Sequence, residues 1–162
     1  MNAIDLLEDQ HQEVKKLFKK YESLGDGADA ERRELFEKIA DRLAAHTSIE
    51  ELYFYPSVKA ARTEEQLYEA VEEHLAAKRI IADLLQMKPD SEYFDAKMKV
   101  LQESIDHHVE EEEEELFPKV RKLLTEEQLL VLGIQMKEEF DEIMEAEPRY
   151  EVPMQTDVAA PI

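Results

Sequence analysis

No cysteine occurs among the 162 residues, so disulfides, thiolate metal sites and cysteine nucleophiles are excluded together. Basic residues are outnumbered: 20 against 40 acidic ones leaves a net charge of −20. Such a surface repels phosphate backbones and anionic headgroups, which excludes nucleic acid and membrane as partners and leaves small neutral ligands and cations. No apolar run approaches the roughly 20 residues of a membrane span, and Met1-Asn2-Ala3-Ile4-Asp5 has neither the basic start nor the apolar stretch of a secretion signal. The expected location is the cytoplasm. Strand-like alternation is missing as well. What is present is a 43% apolar content, enough for a core in one domain despite 37% charged residues.

With only three glycines and six prolines, each break carries meaning. Ile4, Leu7, Val14, Leu17, Phe18 and Tyr21 recur at helical spacing up to Gly25-Asp26-Gly27. Asp29 is placed to cap a second helix whose stripe, Leu35, Ile39, Leu43, Ile49 and Leu52, runs to Pro56. Thr63-Glu64-Glu65-Gln66 has capping-box spacing and opens a third, ending before Pro89. Ser91 starts a fourth, toward Pro118, and a second capping box, Thr125-Glu126-Glu127-Gln128, opens a fifth that runs to about Ala146. These elements predict an all-α fold: an antiparallel up-down four-helix bundle with an additional C-terminal helix over residues 1–146, then an extended or flexible arm over 147–162.

The chain repeats itself. A shift of 62 residues carries His46 onto His108, Glu50 onto Glu112, Pro56 onto Pro118, and Thr63–Leu67 onto Thr125–Leu129. His11 and His74 lie 63 apart and correspond once one residue is allowed in a connection. The fifth helix begins a third copy in which Met136 stands where histidine would fall.

Histidine at i and glutamate at i+4 share a helix face one turn apart. Each half supplies one such pair and one histidine from the preceding helix, so closing the bundle brings His11, His46, His74, His108, Glu50 and Glu112 to its middle. Imidazole with carboxylate suits iron, manganese or zinc. The spacing by itself is weak in a glutamate-rich chain; the coincidence of two matching halves carries the inference. Burying these groups without cations would cost several kcal/mol per unpaired charge, more than a domain of about 5–15 kcal/mol stability absorbs. His107 stands about 100° round the helix from His108 and reads as solvent-facing. Glu110 to Glu115 reads as a solvated face with one or two inward members, and Glu51 and Glu114 as dispensable. Tyr53, Phe54, Tyr55, Leu116 and Phe117 read first as packing at the bundle end and second as a cavity lining for a small ligand.

His11, His46-x-x-x-Glu50 with Tyr55-Pro56, His74, and His108-x-x-x-Glu112 with Phe117-Pro118 together resemble the hemerythrin-like, or HHE cation-binding, family. The resemblance implies a four-helix bundle around a non-haem centre of two iron ions, with zinc or manganese as substitutes in recombinant material. It makes His11, His46, His74 and His108 terminal ligands and Glu50 and Glu112 bridges. Classical oxygen carriers of the family have a second histidine one turn along the third helix, where this sequence has Ala70 and Lys78. The shorter ligand set is similar to that of relatives that sense, detoxify or handle iron, and favours reaction over reversible carriage.

Three functions follow from the resemblance. The first is reaction with, or sensing of, dioxygen, hydrogen peroxide or nitric oxide in stress, including peroxide- or nitric-oxide-consuming activity. The second is iron delivery or iron–sulfur cluster repair, although relatives with that role carry a cysteine-bearing segment not found in this sequence. The third is a metal-dependent regulatory bundle with a protein partner. A monomer or weak dimer is expected.

Overall fold

The computed structural model describes all residues 1–162 and contains helices and no strand. Four long helices form the bundle: α1 (Ala3–Glu22), α2 (Asp29–Ile49), α4 (Glu64–Leu85) and α5 (Glu92–Glu111). Neighbours run antiparallel, as paired contacts show. Tyr21 near the end of α1 meets Asp95 at the start of α5, while His11 meets Glu113 beyond its end. Arg33 in α2 meets Leu84 in α4, while Glu51 meets His74. The fifth long helix, α7 (Glu126–Glu145), lies along α1 and α2. No helix is long and apolar enough to cross a membrane.

The helix ends show which local signals the chain uses. Asn2 caps α1 and Ser91 caps α5 through their side chains. Asp29 is not a cap; it is the first residue of α2, behind Ala28. The two Thr-Glu-Glu-Gln motifs diverge. Thr125 and Gln128 form the full capping box. At Thr63 the hydroxyl instead donates to the Val58 carbonyl and accepts from the Ala60 amide, and Gln66 turns to Glu115 and Lys119. The tight turn before α4 has taken the cap's oxygen.

Pro56 and Pro118 do not end their helices. Each is preceded by a π-helical turn, Glu50–Phe54 and Glu112–Leu116, after which the α-helix resumes as α3 (Tyr55–Val58) and α6 (Phe117–Leu123). The amide of Tyr55 bonds the carbonyl of Glu50, and that of Phe117 bonds Glu112. Each proline then stands in the first turn of a restarted α-helix, where a missing N–H is tolerated. The two π turns obey the 62-residue repeat, and each begins at one of the inward glutamates.

Two apolar clusters make the core. One joins Ile4, Leu7, Ile49, Phe54, Phe117 and the α7 residues Leu129, Leu132, Met136 and Phe140. The other joins Val14, Phe18, Phe36, Leu43, Ile81 and Phe94. Between them lies a polar layer. Gly133 is where α7 crosses the N-terminus: a Cβ there would stand 2.5 Å from the Met1 carbonyl oxygen.

The segment after α7 is not extended. Glu147 turns the chain in the left-handed region, and Pro148–Gln155 forms a 3-10 helix against α2 and α4. Arg149 binds Asp41 and Glu37, and Val152 is buried in the second cluster. An ion-paired anchor and one apolar plug hold a stretch whose prolines alone suggested an arm.

Candidate metal centre

His11, His46, His74, His108, Glu50 and Glu112 all reach the polar layer and all are buried. They fall into two groups of potential ligand atoms, His11 with His46 and Glu112, and His74 with His108 and Glu50. The groups cross the repeat, because each glutamate sits in the group of the other half's histidines. Each also stays within reach of its own i+4 histidine. Glu112 holds one oxygen 3.2 Å from His11 Nε2 and the other 3.2 Å from His108 Nε2. Glu50 Oε1 lies 2.8 Å from His46 Nε2 and 3.6 Å from His74 Nε2. Each carboxylate thus faces both histidine pairs, and its oxygens could be shared between cations held by the two groups.

All four imidazoles are oriented alike, Nε2 inward and Nδ1 outward on a fixed partner. His11 Nδ1 meets Glu113 at 2.9 Å, and His74 Nδ1 meets Glu51 at 2.9 Å. His46 Nδ1 meets Gln10 at 2.6 Å, and His108 Nδ1 meets Glu73 at 3.0 Å. These partners obey the repeat: Glu113 and Glu51 are 62 apart, Gln10 and Glu73 are 63 apart. An acceptor on Nδ1 fixes the tautomer that leaves the Nε2 lone pair pointing inward, the arrangement found around histidine-bound metals. Glu51, expected to be dispensable, holds His74, and it is also paired with buried Lys78 at 3.0 Å. Within Glu110–Glu115 the inward members are Glu112 and, on His11, Glu113.

The inner atoms satisfy one another only in part: His74 Nε2 and His108 Nε2 lie 3.3 Å apart, and Tyr55 donates to Glu112 Oε2. His11 Nε2, His46 Nε2, both oxygens of Glu50 and Glu112 Oε1 are buried without an aligned hydrogen bond. Burial opposes charge on the His11 imidazole, yet Glu112 and Glu113 hold its pKa up at about 9. Burial likewise opposes charge on Glu112, and His108 and His11 outweigh it, keeping its carboxyl well below the usual range. Converging ring nitrogens, which a metal would bind on displacing their protons, and carboxylate oxygens in a dry core fit a cation bound by nitrogen and oxygen.

One asymmetry matters. Tyr55 and Phe117 correspond in the repeat, and each stacks on a histidine: Tyr55 on His74 at 5.5 Å, Phe117 on His11 at 6.1 Å. Tyr55 alone carries a hydroxyl, which donates to Glu112 Oε2 at 2.6 Å and lies 3.2 Å from His74 Nε2. Its fully buried phenol, expected as packing, belongs to the site. Burial and the two inward glutamates push its pKa well up, so it keeps its proton. Beside the layer opens a small apolar cavity lined by Val14, Leu43, Ala77, Ile81 and Val152, with the four histidines on its polar side. His107 lies outside, largely exposed.

Comparison with known proteins bears on the family and the fold. A DNA nickase from Nostoc sp. is 29% identical over 128 residues, 79% of this chain and 36% of that protein. The chain thus spans about a third of the length of that relative. The fold matches the crystal structure of a hemerythrin HHE cation-binding domain-containing protein from Mycobacterium kansasii at a TM-score of 0.79, with 21% identity, over 96% of this chain and 94% of that one. Residues 2–120 match the hemerythrin HHE cation-binding domain as a family. The chain belongs to the hemerythrin HHE cation-binding domain family.

Proposed function

We propose that the protein holds a pair of iron ions in its core and reacts with dioxygen, hydrogen peroxide or nitric oxide. His11 and His46 with Glu112 would hold one ion, His74 and His108 with Glu50 the other, and the two glutamates would be shared. Bound there, an iron pair would supply the electrons that such small oxidants or radicals take up. The observation that carries this reading is the convergence of four inward Nε2 atoms and two carboxylates in one buried layer, five of those atoms without an aligned hydrogen bond, while every Nδ1 is held from outside. The chain's own groups define the rest. The Nδ1 acceptors orient the rings, the apolar cavity keeps bulk water away and admits a small neutral molecule, and Tyr55 holds a proton on its hydroxyl beside Glu112. Nicking of DNA is not carried over from the Nostoc protein, since a chain of net charge −20 repels the substrate.

Metal analysis of protein from iron-replete cells, followed by stopped-flow mixing of the reduced protein with dioxygen, tests the proposal. Two ions per chain and prompt oxidation are expected. One ion or none, or a stable adduct that releases dioxygen under vacuum, would refute it.

A further inference from the structure

The repeat supplies an internal control for the surface around the site. Beside α4 and α5 runs a groove lined by Gln66, Glu69, Glu73, Glu111 and Glu115, with His108 and Glu112 also on its wall. The matching positions in the other half are Ala3 for Gln66, Leu6 for Glu69, Ile49 for Glu111 and Ala45 for His107. Those four are fully or almost fully buried in the cluster that contains α7. One side of the pseudo-symmetric bundle is therefore apolar and covered by the fifth helix, while the other is acidic and open. Covering alone would not call for carboxylates on the open side.

At the rim three side chains converge. His107 Nε2 lies 3.2 Å from Glu111 Oε1 and 3.7 Å from Glu73 Oε2, and one atom from each of the three could reach a single cation. Glu73 has a second role, because its other oxygen holds His108 Nδ1 at 3.0 Å. Further in, buried His108 and Glu112 form the inner wall, and Glu112 turns one oxygen 3.2 Å from His11 Nε2 in the core. Rim, wall and core are thus joined by residues that each suit a divalent cation, and Glu73 connects the outermost group to an inner histidine.

We propose that this acidic groove is the route by which a divalent cation enters the bundle, with Glu73, His107 and Glu111 as its first resting place. The inference rests on the reading of the buried histidines and glutamates as a metal centre. A groove of one sign with low-dielectric walls raises the local cation concentration and with it the loading rate, by factors of about 10 to 1,000. The rim group is too exposed to retain the ion against the core.

The test uses the full metal-free chain mixed with Co2+ in a stopped-flow spectrometer, with the visible cobalt bands as readout. His107→Ala combined with Glu111→Gln should slow loading about tenfold and leave the final occupancy at two ions per chain. Glu138→Gln on α7 makes the same change in net charge away from the groove and should load at the rate of the unaltered protein. Unchanged loading in the double variant would overturn the route, as would equal slowing by Glu138→Gln. A double variant that never reaches two ions would also overturn it, since its residues would then belong to the final site. An unaltered chain that takes up no cobalt would instead refute the metal centre on which the inference rests.

Discussion

Replacing Glu51 by alanine separates two things its carboxylate does. Its oxygens both lie 3.0 Å from Lys78 Nζ, with the side chains 10% and 8% exposed, and one oxygen lies 2.9 Å from His74 Nδ1. Removing one partner of a buried ion pair costs about 3–5 kcal/mol, because the other charge is left behind. Lys78 has a flexible stem and borders a cavity, so partial relaxation should bring the loss toward the lower figure. Loss of the His74 acceptor acts on metal rather than on folding and should weaken binding about 10–100-fold, or roughly 1.4–2.7 kcal/mol. Urea unfolding of the metal-free protein at neutral pH measures the first effect, and competition with a chelator measures the second. The double variant Glu51→Ala, Lys78→Met distinguishes them. It should regain the folding stability to within about 1 kcal/mol, since the orphaned ammonium is gone, but not the metal affinity. A single variant that unfolds and binds metal like the unaltered chain would refute the roles of both contacts.

Three further outcomes are expected. His11 in the metal-free protein is raised to about 9 from 6.5, since Glu112 and Glu113 outweigh burial, so its contribution to stability is complete below pH 6.5 and lost as pH rises through 9. Metal needs the neutral imidazole, so the gain in Tm on adding zinc should grow across that window, and a flat or falling gain would count against His11 as a ligand. Tyr55→Phe removes the donor to Glu112 but keeps a ring that position 117 already tolerates; both ions should still load while peroxide consumption falls about 100-fold, and turnover at the original rate would reduce Tyr55 to packing. Gly133→Ala should destabilise the chain by about 1–3 kcal/mol in urea despite alanine's better helix propensity, because its methyl meets the backbone of Met1 to Ala3; a more stable variant would show that this crossing yields freely.

The helices and the inward six were legible because burial and the repeat mark the same positions: a histidine with apolar neighbours one turn away, in two registers, has few places to point. The outer acceptors were hidden by composition. Glu113 stands in a run of six glutamates, where residue type says nothing about direction, and only the fold shows which one reaches His11. Tyr55 was hidden by a change of period. In an unbroken α-helix it would lie about 140° from Glu50, and the π turn between them lets both face the core. The prolines misled twice, since π turns carry two helices past them and ion pairs to Arg149 fold the last segment. Identical Thr-Glu-Glu-Gln motifs ended differently because the turn before α4 competes for the Thr63 hydroxyl and nothing competes at Thr125.

The polar layer between the two apolar clusters also bears on how the molecule comes apart. Each cluster draws on several helices, and the clusters meet across a slab of imidazole and carboxylate that is cohesive only when positive charge balances it. Without that balance the slab is the weakest cross-section of the bundle, and the end covered by α7 and the end stapled by Arg149 are free to melt at different denaturant concentrations. With cations in place the slab becomes a clamp on α1, α2, α4 and α5 at once, so loading should change the cooperativity of unfolding as well as its midpoint.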